Sequence, residues 1–182
     1  MIIEANQSYR RLLAKPSLTV REYKPTRRTV RIGNKEYTLQ FPYVILALAQ
    51  QQRIHIAFAA QPVQSLHTEL YFPALPNVHV GDWHFCLGGQ HEYANHPFDL
   101  VWQTAFNQHM EAGRRFARKY FGGYKNWSRL KIGPVVLKLQ QSKRRLWFFK
   151  DDKHVVSYKR FLDYKCGQVY WARNRHYFMD DE

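Results

Sequence analysis

Residues Thr29–Phe41 read TVRIGNKEYTLQF, two runs of alternating apolar and polar residues on either side of Gly33-Asn34. Gly and Asn supply the turn chemistry of a tight hairpin, so Thr29–Ile32 and Glu36–Phe41 are expected to pair antiparallel. Outward from this hairpin, Leu18–Tyr23 is expected to be a strand, followed by Pro25 and a turn at Arg27-Arg28. Tyr43–Ala49 is an apolar run that suits a buried strand or a helical turn, and Arg53–Ala59 alternates clearly enough for a strand. Alternation joined by hairpin signals argues for an antiparallel meander of about four strands rather than βαβ units.

Helical spacing flanks this block. Ile2, Ile3, Tyr9, Leu12 and Leu13 share one face of a helix expected over Ile2–Leu13, which Pro16 stops. The longest helical pattern is Phe98–Phe121, with Gly113 weakening its middle and Gly122-Gly123 ending it. Pro134–Leu139, Leu146–Lys150, His154–Tyr158 and Gln168–Ala172 read as short β runs, with Asp151-Asp152-Lys153 as a hairpin turn. Residues 124–179 are therefore expected to be mostly β. The expected fold class is α+β: an N-terminal helix, an antiparallel meander, a cysteine-bearing connection and a long helix in residues 1–121, then a basic, mostly β extension in residues 122–182.

The chain has 182 residues, 45% of them hydrophobic and 16% aromatic, enough for a substantial core. No run reaches the ~20 apolar residues of a membrane span, and the N-terminus lacks a secretory pattern. Two cysteines 80 positions apart require no disulfide, so a reduced, cytoplasmic setting is expected.

Charge is unevenly placed. Residues 1–113 hold 10 Lys/Arg and 8 Asp/Glu, residues 114–175 hold 18 against 3, and the last seven residues hold three acids and no Lys or Arg. Arg114, Arg115, Arg118, Lys119, Lys143, Arg144, Arg145, Lys159 and Arg160 are interleaved with aromatics that include Trp127, Trp147, Tyr158 and Trp171. Cations of this density with few matching acids point to a polyanion. Lys and Arg neutralise phosphates, and Trp147 and Trp171, where exposed, would stack on unpaired bases. Nucleic acid, DNA or RNA, is the expected partner. No phosphate-binding glycine loop or sequence-reading module is present, so contact without sequence preference is expected.

Leu75–Gly89, LPNVHVGDWHFCLGG, places Cys86 nine positions after an Asn77-centred turn, with two glycines behind it. A thiol at the end of such a connection suits a reaction centre; a small buried hydrophobe is the other reading of Cys86. His79, His84, Cys86, His91 and His96 lie within 18 residues, but no pair has a familiar zinc spacing. A zinc site is one reading of this cluster, and residues with ordinary hydrogen bonds is the other. No metal ligand set and no cofactor is assigned.

The order of elements, with Pro76, Asn77, Gly81, Cys86 and Leu87, resembles ubiquitin-conjugating enzymes and their shorter prokaryotic and phage-borne relatives. Leu75 stands where that family usually has His, and the Asn-to-Cys spacing is one residue longer. The resemblance implies that Cys86 carries a ubiquitin-like modifier as a thioester, received from an activating enzyme and passed to an amine. It implies that Asn77 supports the oxyanion, with Asp82 or His84 tuning the thiol or the amine. Two functions are therefore expected: a diverged conjugating-enzyme-like protein with a nucleic-acid-contacting extension, or a non-enzymatic nucleic-acid-binding protein of a phage, mobile element or ribonucleoprotein assembly.

Overall fold

A computed structural model describes residues 9–12, 14, 18–49, 53–87, 98, 101–102, 106, 110–146 and 154–166. The strands are β1 (Tyr9–Arg11), β2 (Leu18–Tyr23), β3 (Thr26–Ile32), β4 (Lys35–Phe41), β5 (Tyr43–Ala49), β6 (Ile54–Ala59), β7 (Glu69–Tyr71) and β8 (Val155–Ser157). Six of them form one sheet in the order β1-β2-β5-β6-β7-β8, every neighbouring pair antiparallel. β3 and β4 form a separate two-stranded ribbon.

That ribbon continues β2 and β5. Tyr23 pairs with Val44, and three residues further out Thr26 pairs with Phe41, so the register does not slip across the gap. Pro25 and Pro42 stand opposite each other in that gap. Neither has an N–H to donate, so the ladder breaks there and the hairpin can leave the main sheet. Gly33 takes φ 60° at the tip, while Asn34 keeps a negative φ, the pattern of a turn with glycine in its first central position. The freed ribbon buries Val30, Ile32, Leu39 and Phe41, and leaves Arg27, Thr29 and Arg31 exposed.

Among the described residues the helices include α1 (Met110–Phe121), α2 (Tyr124–Trp127), α3 (Ile132–Leu146) and a short α4 (Tyr158–Arg160) that runs into a wider turn over Phe161–Lys165. α1 buries Phe116, Ala117, Tyr120 and Phe121. It ends at Gly122 and Gly123, whose φ values of 76° and 96° suit residues without a Cβ. Trp127 of α2 is fully enclosed, donates Nε1–H to the Gln40 carbonyl at 2.7 Å, and stacks on Phe121 at 4.3 Å. Phe41 and Phe58 pack edge-on or tilted around the same indole. One core thus joins the sheet, the ribbon and the helices. No helix among the described residues is long and apolar enough to cross a membrane.

The hairpin and the strands on either side of it agree with expectation, but the expected turn at Arg27-Arg28 is part of β3, and the expected fold class is corrected. The protein is mostly antiparallel β with short helices, not the helix-anchored α+β arrangement of conjugating enzymes. Tyr9–Arg11 is an edge strand rather than the end of a helix. Arg10 grips Glu22 across the ladder with two hydrogen bonds, and Tyr9 packs on Tyr23, so cross-strand pairing outweighs helical spacing. The expected long helix is interrupted. Phe98, Val101 and Trp102 are helical, but Phe106 leaves that pattern: it pairs with Ile32 and donates its N–H to the Arg31 carbonyl, ahead of helix α1. Pro134–Leu139 is helix α3, not strand. Pro134 sits in the first turn, where it costs little, and Val135 and Leu139, four apart, supply the buried face. His154–Tyr158 does supply strand β8, which extends the main sheet beside β7. Residues 1–8, Asp151–Lys153 and Gln168–Ala172 lie outside the described residues.

Candidate functional site

Val78–His84 is the distal part of a narrow ribbon set against the edge of β6. Cys86 donates its backbone N–H to the Asn77 carbonyl at 2.8 Å, Val78 bridges Phe85, and His79 donates its N–H to the His84 carbonyl at 3.0 Å. Ile56 donates to the Trp83 carbonyl, and Phe85 donates to the Ile54 carbonyl. The returning limb therefore pairs with the first half of β6 while β7 pairs with the second half.

Asn77 is fully enclosed. Its side-chain Nδ2 donates to the Cys86 carbonyl at 3.0 Å, so it binds both polar groups of the Cys86 peptide. Cys86, by contrast, is half-buried as a residue and makes no disulfide. The two residues that sequence spacing singles out are thus brought together, with Asn77 holding the backbone of Cys86. Cys166 is buried in the core.

The ribbon tip gathers a second group. Asp82 accepts a hydrogen bond from the His84 ring at Nδ1, 2.7 Å away, and from the His84 backbone at 3.3 Å. His79 Nδ1 lies 3.4 Å from the same carboxylate oxygen, and the two imidazoles stack at 5.2 Å. Burial opposes the Asp82 charge, but the His84 hydrogen bonds and charge outweigh it and hold the carboxyl near about 2. Trp83 makes this geometry possible. It adopts φ 59°, uncommon for a bulky residue, and drives its indole into the core against Phe72 and Phe161. Such a conformation costs on the order of 1–3 kcal/mol, offset here by complete burial of the ring.

His55 supports the tip from β6. It is fully enclosed, and its Nδ1 lies 2.9 Å from the Asp82 carbonyl. A carbonyl only accepts, so His55 carries its proton on Nδ1. Burial, opposed by that hydrogen bond and by the Asp82 charge, lowers its pKa to about 4, and the ring is neutral near pH 7. Sequence reading missed His55 because a histidine on an alternating strand gives no sign of which groups meet it across the sheet edge.

The basic residues fall in three places. Arg114, Arg115, Arg118 and Lys119 form the exposed side of α1, and Lys125, Arg129 and Lys131 continue it, all exposed. Lys143, Arg144 and Arg145 belong to the last turns of α3. Lys159 and Arg160 are exposed on α4, beyond the β8 edge. Trp147 and Trp171 lie outside the described residues. Trp127 and Tyr158 are core residues, and no Trp or Phe is exposed among the described residues. No protein-family model, no curated protein and no solved structure matches the chain.

Proposed function

We propose that this protein binds nucleic acid through the basic side of α1 and the segment that follows it, contacting phosphates without reading sequence. One observation carries the reading. Met110–Leu146 holds eleven Lys/Arg and a single acid, Glu111, and seven of those cations, from Arg114 to Lys131, are exposed. Soluble surfaces ordinarily intersperse both signs, because a one-sign field repels itself. A phosphate backbone relieves that repulsion and releases its own counterions. Amphipathic α1 fixes the geometry: its apolar side is locked into the core, so Arg114, Arg115, Arg118 and Lys119 are held outward together. The buried Trp127 and Tyr158 leave phosphate contact, rather than base stacking, as the main source of affinity within the described residues.

Fluorescence anisotropy with DNA and RNA oligonucleotides of scrambled sequence tests this at low salt. Comparable affinity across sequences is expected, and the double charge reversal Arg114→Glu/Arg118→Glu should remove binding while leaving the circular dichroism spectrum unchanged. Absence of binding to any of these oligonucleotides would assign the charge to an acidic protein partner instead.

A second reading attaches to Cys86, a half-buried residue whose backbone is held by Asn77. On this reading Cys86 accepts the C-terminus of a ubiquitin-like modifier as a thioester, supplied by an activating enzyme. Asn77 then acts by positioning the sulfur, since its amide is committed to the Cys86 carbonyl. Cys86→Ser should trap an oxyester with the modifier. Absence of a thiol-sensitive adduct on the unmodified protein, with the activating enzyme and ATP present, would reject it.

A further inference from the structure

We propose that the ribbon tip is a binding site for a divalent transition metal, held by His79 Nδ1, Asp82 Oδ1 and His84 Nδ1. Their ligand atoms all lie within 4.8 Å of one another. The His79–Asp82 separation of 3.4 Å is close to the about 3.3 Å between two ligands that share a tetrahedral zinc with bonds near 2.0–2.1 Å. His84 and Asp82, at 2.7 Å, are joined by one hydrogen bond, and a metal takes the place of its proton with a small opening of the pair.

The local backbone holds these groups on one side. His79 and His84 are cross-strand partners whose rings stack, and the Trp83 side chain between Asp82 and His84 turns into the core. Outer contacts anchor the carrier. His55 donates to the Asp82 carbonyl, and Ile56 donates to the Trp83 carbonyl, so two residues of β6 fix the turn. Ligand sets with second contacts of this kind hold their orientation before the metal arrives.

The donor set selects the ion. Two imidazoles with one carboxylate suit zinc and its first-row neighbours, whereas magnesium and calcium prefer oxygen ligands throughout. Three protein ligands, with the His79 side chain 52% exposed, leave a coordination position open to water or to a ligand. This site is independent of the basic face of α1, and its test does not involve nucleic acid.

Titration calorimetry with zinc chloride, on the full chain freed of any affinity tag, measures the stoichiometry. Cobalt(II) substitution then reads the ligand field by visible absorption. One equivalent should bind, with cobalt bands of four- or five-coordinate intensity. His79→Ala, at the exposed position, should weaken zinc at least tenfold without altering the circular dichroism spectrum, and His79→Ala/His84→Ala should abolish the cobalt bands. Zinc binding that persists unchanged in the double variant, or wild-type protein that takes up no stoichiometric zinc, would overturn the proposal. Should the double variant prove unstable, equal zinc affinity in wild type and His79→Ala would overturn it alone.

Discussion

Gly113 of α1 lies directly against the backbone of Pro76, in the turn that leads to Asn77. A Cβ at Gly113 would fall 2.5 Å from the Leu75 carbonyl carbon and against the Pro76 nitrogen. The missing side chain therefore lets the basic helix dock on the turn that carries the Asn77–Cys86 pair.

Gly113→Ala should destabilise the protein even though alanine favours helix by roughly 1 kcal/mol. Both contacts are backbone, which cannot swing aside, so overpacking of about 1–3 kcal/mol or more is expected. Gly133→Ala is the control, since nothing lies within 4 Å of a Cβ there. Thermal denaturation should show a clear loss for Gly113→Ala and a neutral or slightly raised midpoint for Gly133→Ala. Equal behaviour of the two would remove the close approach.

His55 gives stability a defined pH dependence. Its folded pKa of about 4 lies below its ordinary value of 6.5, so its contribution is complete above pH 6.5 and is lost as pH falls from there through 4. The shift corresponds to about 3 kcal/mol at its limit. Urea denaturation between pH 7.5 and 4 should show this loss in the wild type and a flatter profile in His55→Gln. An identical profile in both would place the acid sensitivity elsewhere.

Asn77→Ala should cost about 1–3 kcal/mol by leaving the Cys86 carbonyl without its side-chain donor. Asn77→Asp, nearly the same size, should be at least as damaging, because a carboxylate cannot donate to a carbonyl and would carry a charge into an enclosed position. Both should raise the rate at which Cys86 reacts with a disulfide reagent. Full stability in Asn77→Asp would show that packing, not the hydrogen bond, is what this residue supplies.

The strands were legible where local chemistry and tertiary structure agree. Gly33-Asn34 marks its turn, and alternation marks β3, β4 and β6, because one residue type decides each feature. The stretch Pro134–Leu139 misleads because it is a short apolar run opening on two β-branched valines, while the burial that decides the matter is at Val135 and Leu139, four apart. Tyr9–Arg11 depends on Glu22, and Phe106 on Ile32, partners far along the chain. Of the candidate site, the Asn77–Cys86 pairing was visible as spacing. The His79–Asp82–His84 convergence was not, since it depends on the positive φ at Trp83 and on the His55 anchor from another strand.

The salt dependence of binding is the most direct measure of the basic face. With each neutralised phosphate releasing close to one counterion, the logarithm of the association constant should fall linearly with the logarithm of salt. Replacing Arg114, Arg115, Arg118 and Lys119 by Ala should weaken binding across all sequences alike and reduce that slope by about three to four. A slope unchanged by the four substitutions, or affinity insensitive to salt, would contradict phosphate contact by α1.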